Sequence, residues 1–258
     1  MLVVFGLDAN VGRKRVAAAL TRAVPGTRLL VELGVSGTTW SMAGAEFQKR
    51  TPTLETIYEV LRERNDGMRR VRVHLDTVVG ALSDLESARP ISAADASRRD
   101  VVPVVRAPVS STEAAERALE FGSALVELFV QLERSSVLGP TTVLADAGWV
   151  APGLVGQAAW AAAASDLVLV VGERPVAIAS LGYFERAFPQ ARVWVVALAA
   201  GRRRRRLAEV ARFALRARHG VEVIAVEPDQ LGSGTALEQV LEPIVMGSAG
   251  STLGELGA

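Results

Sequence analysis

Valine-rich apolar runs of four to eight residues alternate along this chain with longer segments of helical period. The runs are Leu2–Phe5, Arg28–Leu33, Val101–Arg106, Thr142–Ala145, Leu167–Val171, Arg192–Leu198 and Val221–Val226. None shows strict apolar–polar alternation, which marks strands covered on both faces. Helical patterns fall between them at Arg13–Val24, Thr53–Asn65, Thr112–Ser135, Gly153–Ala164, Val176–Ala187, Arg202–His219 and Thr235–Val245. Thr53 after Pro52 is a plausible cap, and Ser110-x-x-Glu113 is a capping-box pattern before the long third helix. The rhythm predicts an α/β fold, a doubly wound and mainly parallel sheet flanked by helices in three layers.

One domain, residues 1–246, accounts for all these elements, with a small-residue tail, GSAGSTLGELGA, expected to be flexible over 247–258. Residues 34–100 break the rhythm. They hold RERNDGMRR and SARPISAADASRRD around VRVHLDTVV, a further candidate strand, and predict an irregular region. Phe121, Leu125, Leu128, Phe129 and Leu132 recur at helical spacing and read as core.

Composition narrows the function. With 258 residues and 50% apolar content the chain can bury one large core. Its 29 basic and 28 acidic residues give no global field for nucleic acid. The absence of cysteine excludes disulfides, Fe–S ligation and thiolate zinc sites. Two histidines, His74 and His219, make no metal cluster by themselves, and His219 before Gly220 reads as a helix C-terminal cap. GLVGQAAWAAAASDLVLVV is interrupted by Gln157, Ser165 and Asp166, so no membrane span is expected. Lacking a signal-peptide pattern and an amphipathic anchor, the sequence predicts a cytoplasmic protein without membrane attachment.

The candidate chemistry starts at the turn after the first strand, GLDANVGRKRVAAAL. A phosphate loop uses glycines to aim backbone N–H groups at phosphate, a lysine to neutralise charge, and a hydroxyl to hold magnesium. With Gly12 as the last glycine of G-x-x-x-x-G-K-[ST], the first glycine is Leu7, the lysine is Arg13 and the hydroxyl is Lys14. Strand, loop and helix are retained while the ligating groups are exchanged.

This turn resembles the deviant loop of the MinD/ParA-like (SIMIBI class) branch of P-loop NTPases, K-G-G-x-G-K-T-[ST]. Asp8 stands at the signature lysine, Ala9 and Asn10 at the two glycines, Val11 and Gly12 at the matching pair, and Lys14 and Arg15 at the hydroxyls. RLLVELGVSG resembles the family's second-strand motif, with Glu32 at its first acid. TVLADAGWVAPG resembles the switch-II strand, with Asp146 at the magnesium-facing acid. ASDLVLVVGERPVAIASL and VEVIAVEPDQ are similar to its later strand–turn segments, the second lying beside the adenine pocket.

The resemblance implies a P-loop NTPase-like sandwich and a centre stripped of its catalytic groups. Magnesium-dependent hydrolysis is expected to be lost or very weak, with no cofactor required and ATP or ADP held at most weakly without magnesium. Two readings of the loop stay open: Asp8 and Asp146 pair with its cations and fill the site, or Arg13 and Lys14 still hold an anion. The implied role is binding or regulation in positioning, division or secretion machinery, through a protein partner or a homodimer. The alternative is an active ParA-like ATPase that binds DNA or cargo. Its candidate contact is the run Arg202, Arg203, Arg204, Arg205 and Arg206, for which a solvated helix start is the simpler reading. Consecutive residues point around a helix, whereas Arg206, Glu209, Arg212, Arg216 and His219 have one-sided spacing.

Overall fold

The computed structural model describes residues 1–8, 12–33, 54, 57–58, 104–105, 124–134, 141–149, 155–215, 221–232 and 234–254. Among the described residues, seven strands form one parallel sheet: β1 (Leu2–Gly6), β2 (Thr27–Glu32), β3 (Val104–Val105), β4 (Thr141–Trp149), β5 (Asp166–Val171), β6 (Arg192–Leu198) and β7 (Glu222–Val226). Their spatial order is β3-β2-β4-β1-β5-β6-β7, and every pairing is parallel. From β1 the chain passes over β4 to β2, and from β4 it passes over β1 to β5. The carboxyl ends around β1 are therefore the topological switch region, where open parallel sheets bind ligands.

Helices cover both faces. One face carries α1 (Arg13–Ala23) and α6 (Gly234–Gly254), packed on Leu2, Val4, Leu30, Leu144, Val168, Trp194 and Val196. The other carries α2 (residues 124–134), α3 (Val155–Ala163), α4 (Pro175–Ala187) and α5 (Arg202–Ala214), together with helical residues 54 and 57–58. Alternate residues of each strand supply the two cores: Val3 and Phe5 face one, Leu2 and Val4 the other. This explains the apolar runs without alternation.

α1 shows how sequence sets a packing distance. Its Val16–Leu20 segment, VAAAL, is buried without a break between the sheet and α6. Three successive alanines give high helix propensity and let backbones approach closely. Thr21, also buried, donates its hydroxyl to the Ala17 carbonyl at 2.7 Å. Arg28, although only 3% exposed, donates to the Val24 carbonyl at 3.1 Å, serving the α1 terminus with a cation.

Several boundaries depart from the sequence pattern. β4 runs to Trp149, beyond Ala145, because a register shift against β1 around Gly148 (φ 85°) carries the strand onward. α5 ends at Ala214 with Leu215 as its cap, so the helix stops before His219, which lies outside the described residues. α6 continues past Val245 to Gly254, through residues 247–254 that composition assigned to a tail. A Cβ at Gly247 would lie 2.6 Å from an Arg192 guanidinium nitrogen and 2.7 Å from the Trp194 ring, so its bare Cα lets the helix lie against both. Leu125, Leu128, Phe129 and Leu132 are core residues, as their spacing predicted. Phe121, His74 and the candidate strand at 71–79 lie outside the described residues.

Candidate functional site

The turn after β1 lies at the switch region. Gly12, the N-cap of α1, adopts φ 81° and ψ 9°, a left-handed conformation that strains any residue with a Cβ. The turn also leaves no room there. An added Cβ would sit 2.8 Å from a Leu231 methyl and 3.1 Å from a Leu198 methyl. Leu198 ends β6, and Leu231 belongs to the 3₁₀ turn Pro228–Gly232 after β7. The 3₁₀ turn after β7 thus places a leucine against Gly12.

Arg13 turns back from the first position of α1 and pairs with Asp146 on β4. Gly6 makes that path possible, since a Cβ at Gly6 would approach the Arg13 Cδ to 3.1 Å. Asp146 is buried, accepts the Gly148 N–H at 3.3 Å, and sits in register with Glu32 of β2, which is also buried. The Asp146 carbonyl accepts the Leu33 N–H at 2.9 Å, fixing the ends of the two strands together. Burial pushes the Arg13 guanidinium down to about 10, against the opposing pull of Glu32. Lys14 is lowered by burial and then by its Arg13 neighbour, while Glu32 pulls the other way.

Asp8 finds a different partner. Its carboxylate pairs at 3.2 Å with Arg174, the N-cap residue of α4. Of the two acids expected to pair with the loop cations, Asp146 does so with Arg13, whereas Asp8 pairs with Arg174 of α4. Leu7 is buried, and its N–H bonds to the Val170 carbonyl of β5 at 2.9 Å. Asn10 and Val11 lie outside the described residues, and Arg15 is exposed on α1.

Sequence reading located Asp8, Gly12, Arg13, Lys14, Glu32 and Asp146 in this region. It missed Gly6, Arg174, Leu198 and Leu231. Gly6 is visible in the sequence as a glycine directly ending an apolar run, and Arg174 stands before Pro175 with nothing local to mark it as a partner of Asp8. Leu198 and Leu231 carried no local signal, because their role arises from tertiary approach.

The arginine run begins α5, away from this centre. Arg203 pairs with Glu173 and Arg204 with Glu227, each at 3.2 Å, in different directions around the helix. Arg202, Arg205 and Arg206 are exposed and make no ion pair among the described residues.

The fold recurs in solved structures. A ParA family ATPase from Chlorobium tepidum TLS matches with TM-score 0.54 at 11% identity, over 93% of this chain and 91% of that one. The fold is that of the ParA-like ATPases. McdA from Cyanothece in complex with ATP matches at TM-score 0.55 and 12% identity, over 95% and 96% of the two chains. Cobyrinic acid a,c-diamide synthase from Mycobacterium smegmatis, with bound ATP analogue and magnesium, matches at 0.53 and 15%, over 93% and 92%. No protein-family model matches the sequence, and no curated protein is similar to it in sequence. At such identities the ParA-like likeness concerns the fold; the chemistry has to be argued from the side chains. No described helix is long and apolar enough to cross a membrane.

Proposed function

We propose that this chain is a ParA-like protein that has exchanged nucleotide turnover for binding: a pseudo-ATPase acting as a scaffold or regulatory partner. The observation that carries the reading is the Arg13–Asp146 pair, in which the loop cation occupies the acid that would face magnesium. The donor set fits a magnesium ion poorly. Asp146 is engaged, a lysine stands where a hydroxyl is needed, and no cluster of three acidic or histidine ligands occurs among the described residues. A dication about 4 Å from an ammonium is opposed by several kcal/mol, even at an effective dielectric near 20. The contact of Leu231 and Leu198 with Gly12 further supports a closed loop.

The sheet end then serves as a rigid surface for a second copy of the chain or another protein, in positioning, division or secretion machinery. Any ATP or ADP would bind weakly and without magnesium. The test is hydrolysis of ATP with saturating magnesium: the proposal expects none above background. Turnover that disappears in Lys14→Ala would overturn it. The exposed Arg202, Arg205 and Arg206 support a second reading, an unorthodox ParA-like ATPase binding DNA or cargo. ATP-stimulated, salt-sensitive DNA binding would favour that reading; no binding at low salt would remove it.

A further inference from the structure

A second concave surface lies beyond β6, three strand spacings or about 14 Å from β1. It is a groove of about 430 Å³ lined by Arg204, Arg205, Ala208, Glu209 and Arg212 of α5 and by Ala225 of β7. It shares no residue with the Arg13–Asp146 centre.

β7 ends the sheet, pairing with β6 alone among the described residues. On the β6 side the Val226 carbonyl accepts the Ala199 N–H at 3.3 Å. Residues of a parallel strand direct their backbone groups alternately to either side, so Val223 and Ala225 direct theirs outward. The Val223 carbonyl accepts Arg212 Nη2 at 3.3 Å, which agrees with that assignment. A side chain thus serves one outward acceptor, while Ala225, with its own outward N–H and C=O, forms a wall of the groove. A strand edge unpaired among the described residues is a template for another strand.

Charge selects the class of occupant. Three arginines face one glutamate in the lining, and Arg204 is already paired with Glu227. Arg205 and Arg212 make no ion pair among the described residues. A nucleic-acid backbone would bring phosphates against Glu209 and Glu227 as well as the arginines. A peptide can place carboxylates singly, at every second residue, on the face toward α5. We propose that this groove takes an acidic, extended segment of a partner protein, added to the outer edge of β7 with its carboxylates on Arg205 and Arg212. Backbone pairing supplies affinity, and the alternating acids supply register.

The test uses the full chain and a labelled octapeptide of alternating glutamate and valine. Its controls are a block peptide of the same composition and a single-stranded oligonucleotide. The alternating peptide should bind at low salt, slow amide exchange at Ala225, and bind about tenfold more weakly to Arg205→Glu and to Arg212→Glu, a loss of about 1.4 kcal/mol. Ala225→Pro removes an outward N–H without touching the β6 ladder, a position where edge strands tolerate proline. It should weaken the alternating peptide by a similar factor. Unchanged affinity in Ala225→Pro would overturn the proposal, as would equal binding of the block peptide or the oligonucleotide. So would absence of binding by the alternating peptide at low salt.

Discussion

Two helices of this protein start in the same unusual way. α1 and α5 each follow a glycine at positive φ, Gly12 at 81° and Gly201 at 53°, and each opens with consecutive cations and no acid in its first turn. Cations there oppose the helix dipole by about 0.3–1 kcal/mol each. At α1 the first cation folds inward onto a buried aspartate, while two leucines crowd the preceding glycine. At α5 the cations fan outward, two of them meeting exposed or half-exposed carboxylates. Similar local grammar therefore serves opposite ends. What differs is the strand that arrives opposite the helix start: β4 delivers Asp146 to α1, whereas α5 begins near a sheet edge.

The difference should appear most strongly when the partners are removed. Asp146→Ala leaves Arg13 buried without its contact carboxylate, which typically costs about 3–5 kcal/mol. Denaturant unfolding should record that loss, while Glu173→Ala at α5 should change stability by less than about 1 kcal/mol. Comparable losses at the two sites would erase the contrast.

The glycines come next. Gly12→Ala adds left-handed strain of about 1–2 kcal/mol to overpacking against Leu231 and Leu198 of about 1–3 kcal/mol. A Cβ at Gly201 meets nothing within 4 Å, so Gly201→Ala carries backbone strain alone, about 1–3 kcal/mol. A second substitution, Leu231→Ala, should recover part of the Gly12→Ala loss and none of the Gly201→Ala loss, as read in a double-mutant cycle.

Lys14 gives the smallest effect and a pH signature. Its folded pKa lies below the ordinary 10.5, so the unfolded chain binds the proton more tightly. Its unfavourable contribution is full at neutral pH and fades as pH rises from the lowered pKa toward 10.5. Lys14→Met should therefore raise Tm slightly at neutral pH, with the advantage shrinking over that alkaline window. An advantage that grew with pH would contradict the burial and repulsion ascribed to this ammonium.

Much of the scaffold was legible because it depends on local pattern. Valine-rich runs such as Leu167–Val171 and Arg192–Leu198 fall within a residue of the observed strands. Gly12 was readable as the turn residue before α1, whereas Asp146 was read as the acid after a strand ending at Ala145 and lies inside a β4 that runs on to Trp149. The long-range contacts around the site were not readable. Arg174 approaches Asp8 across 166 positions of sequence, and Leu231 reaches Gly12 only through the sheet order. The extension of α6 was hidden for the opposite reason. Residues 247–254 look like a tail by composition, yet Gly247 is the small residue that lets the helix lie on Trp194 and Arg192.

The central claim is that the loop's own cation occupies the acid a metal would need. Isothermal titration calorimetry with ATP and ADP, each with and without magnesium, tests it most directly. The account expects at most weak heat from either nucleotide and no gain from magnesium. Tight, magnesium-dependent ATP binding that is lost in Asp146→Ala would contradict it.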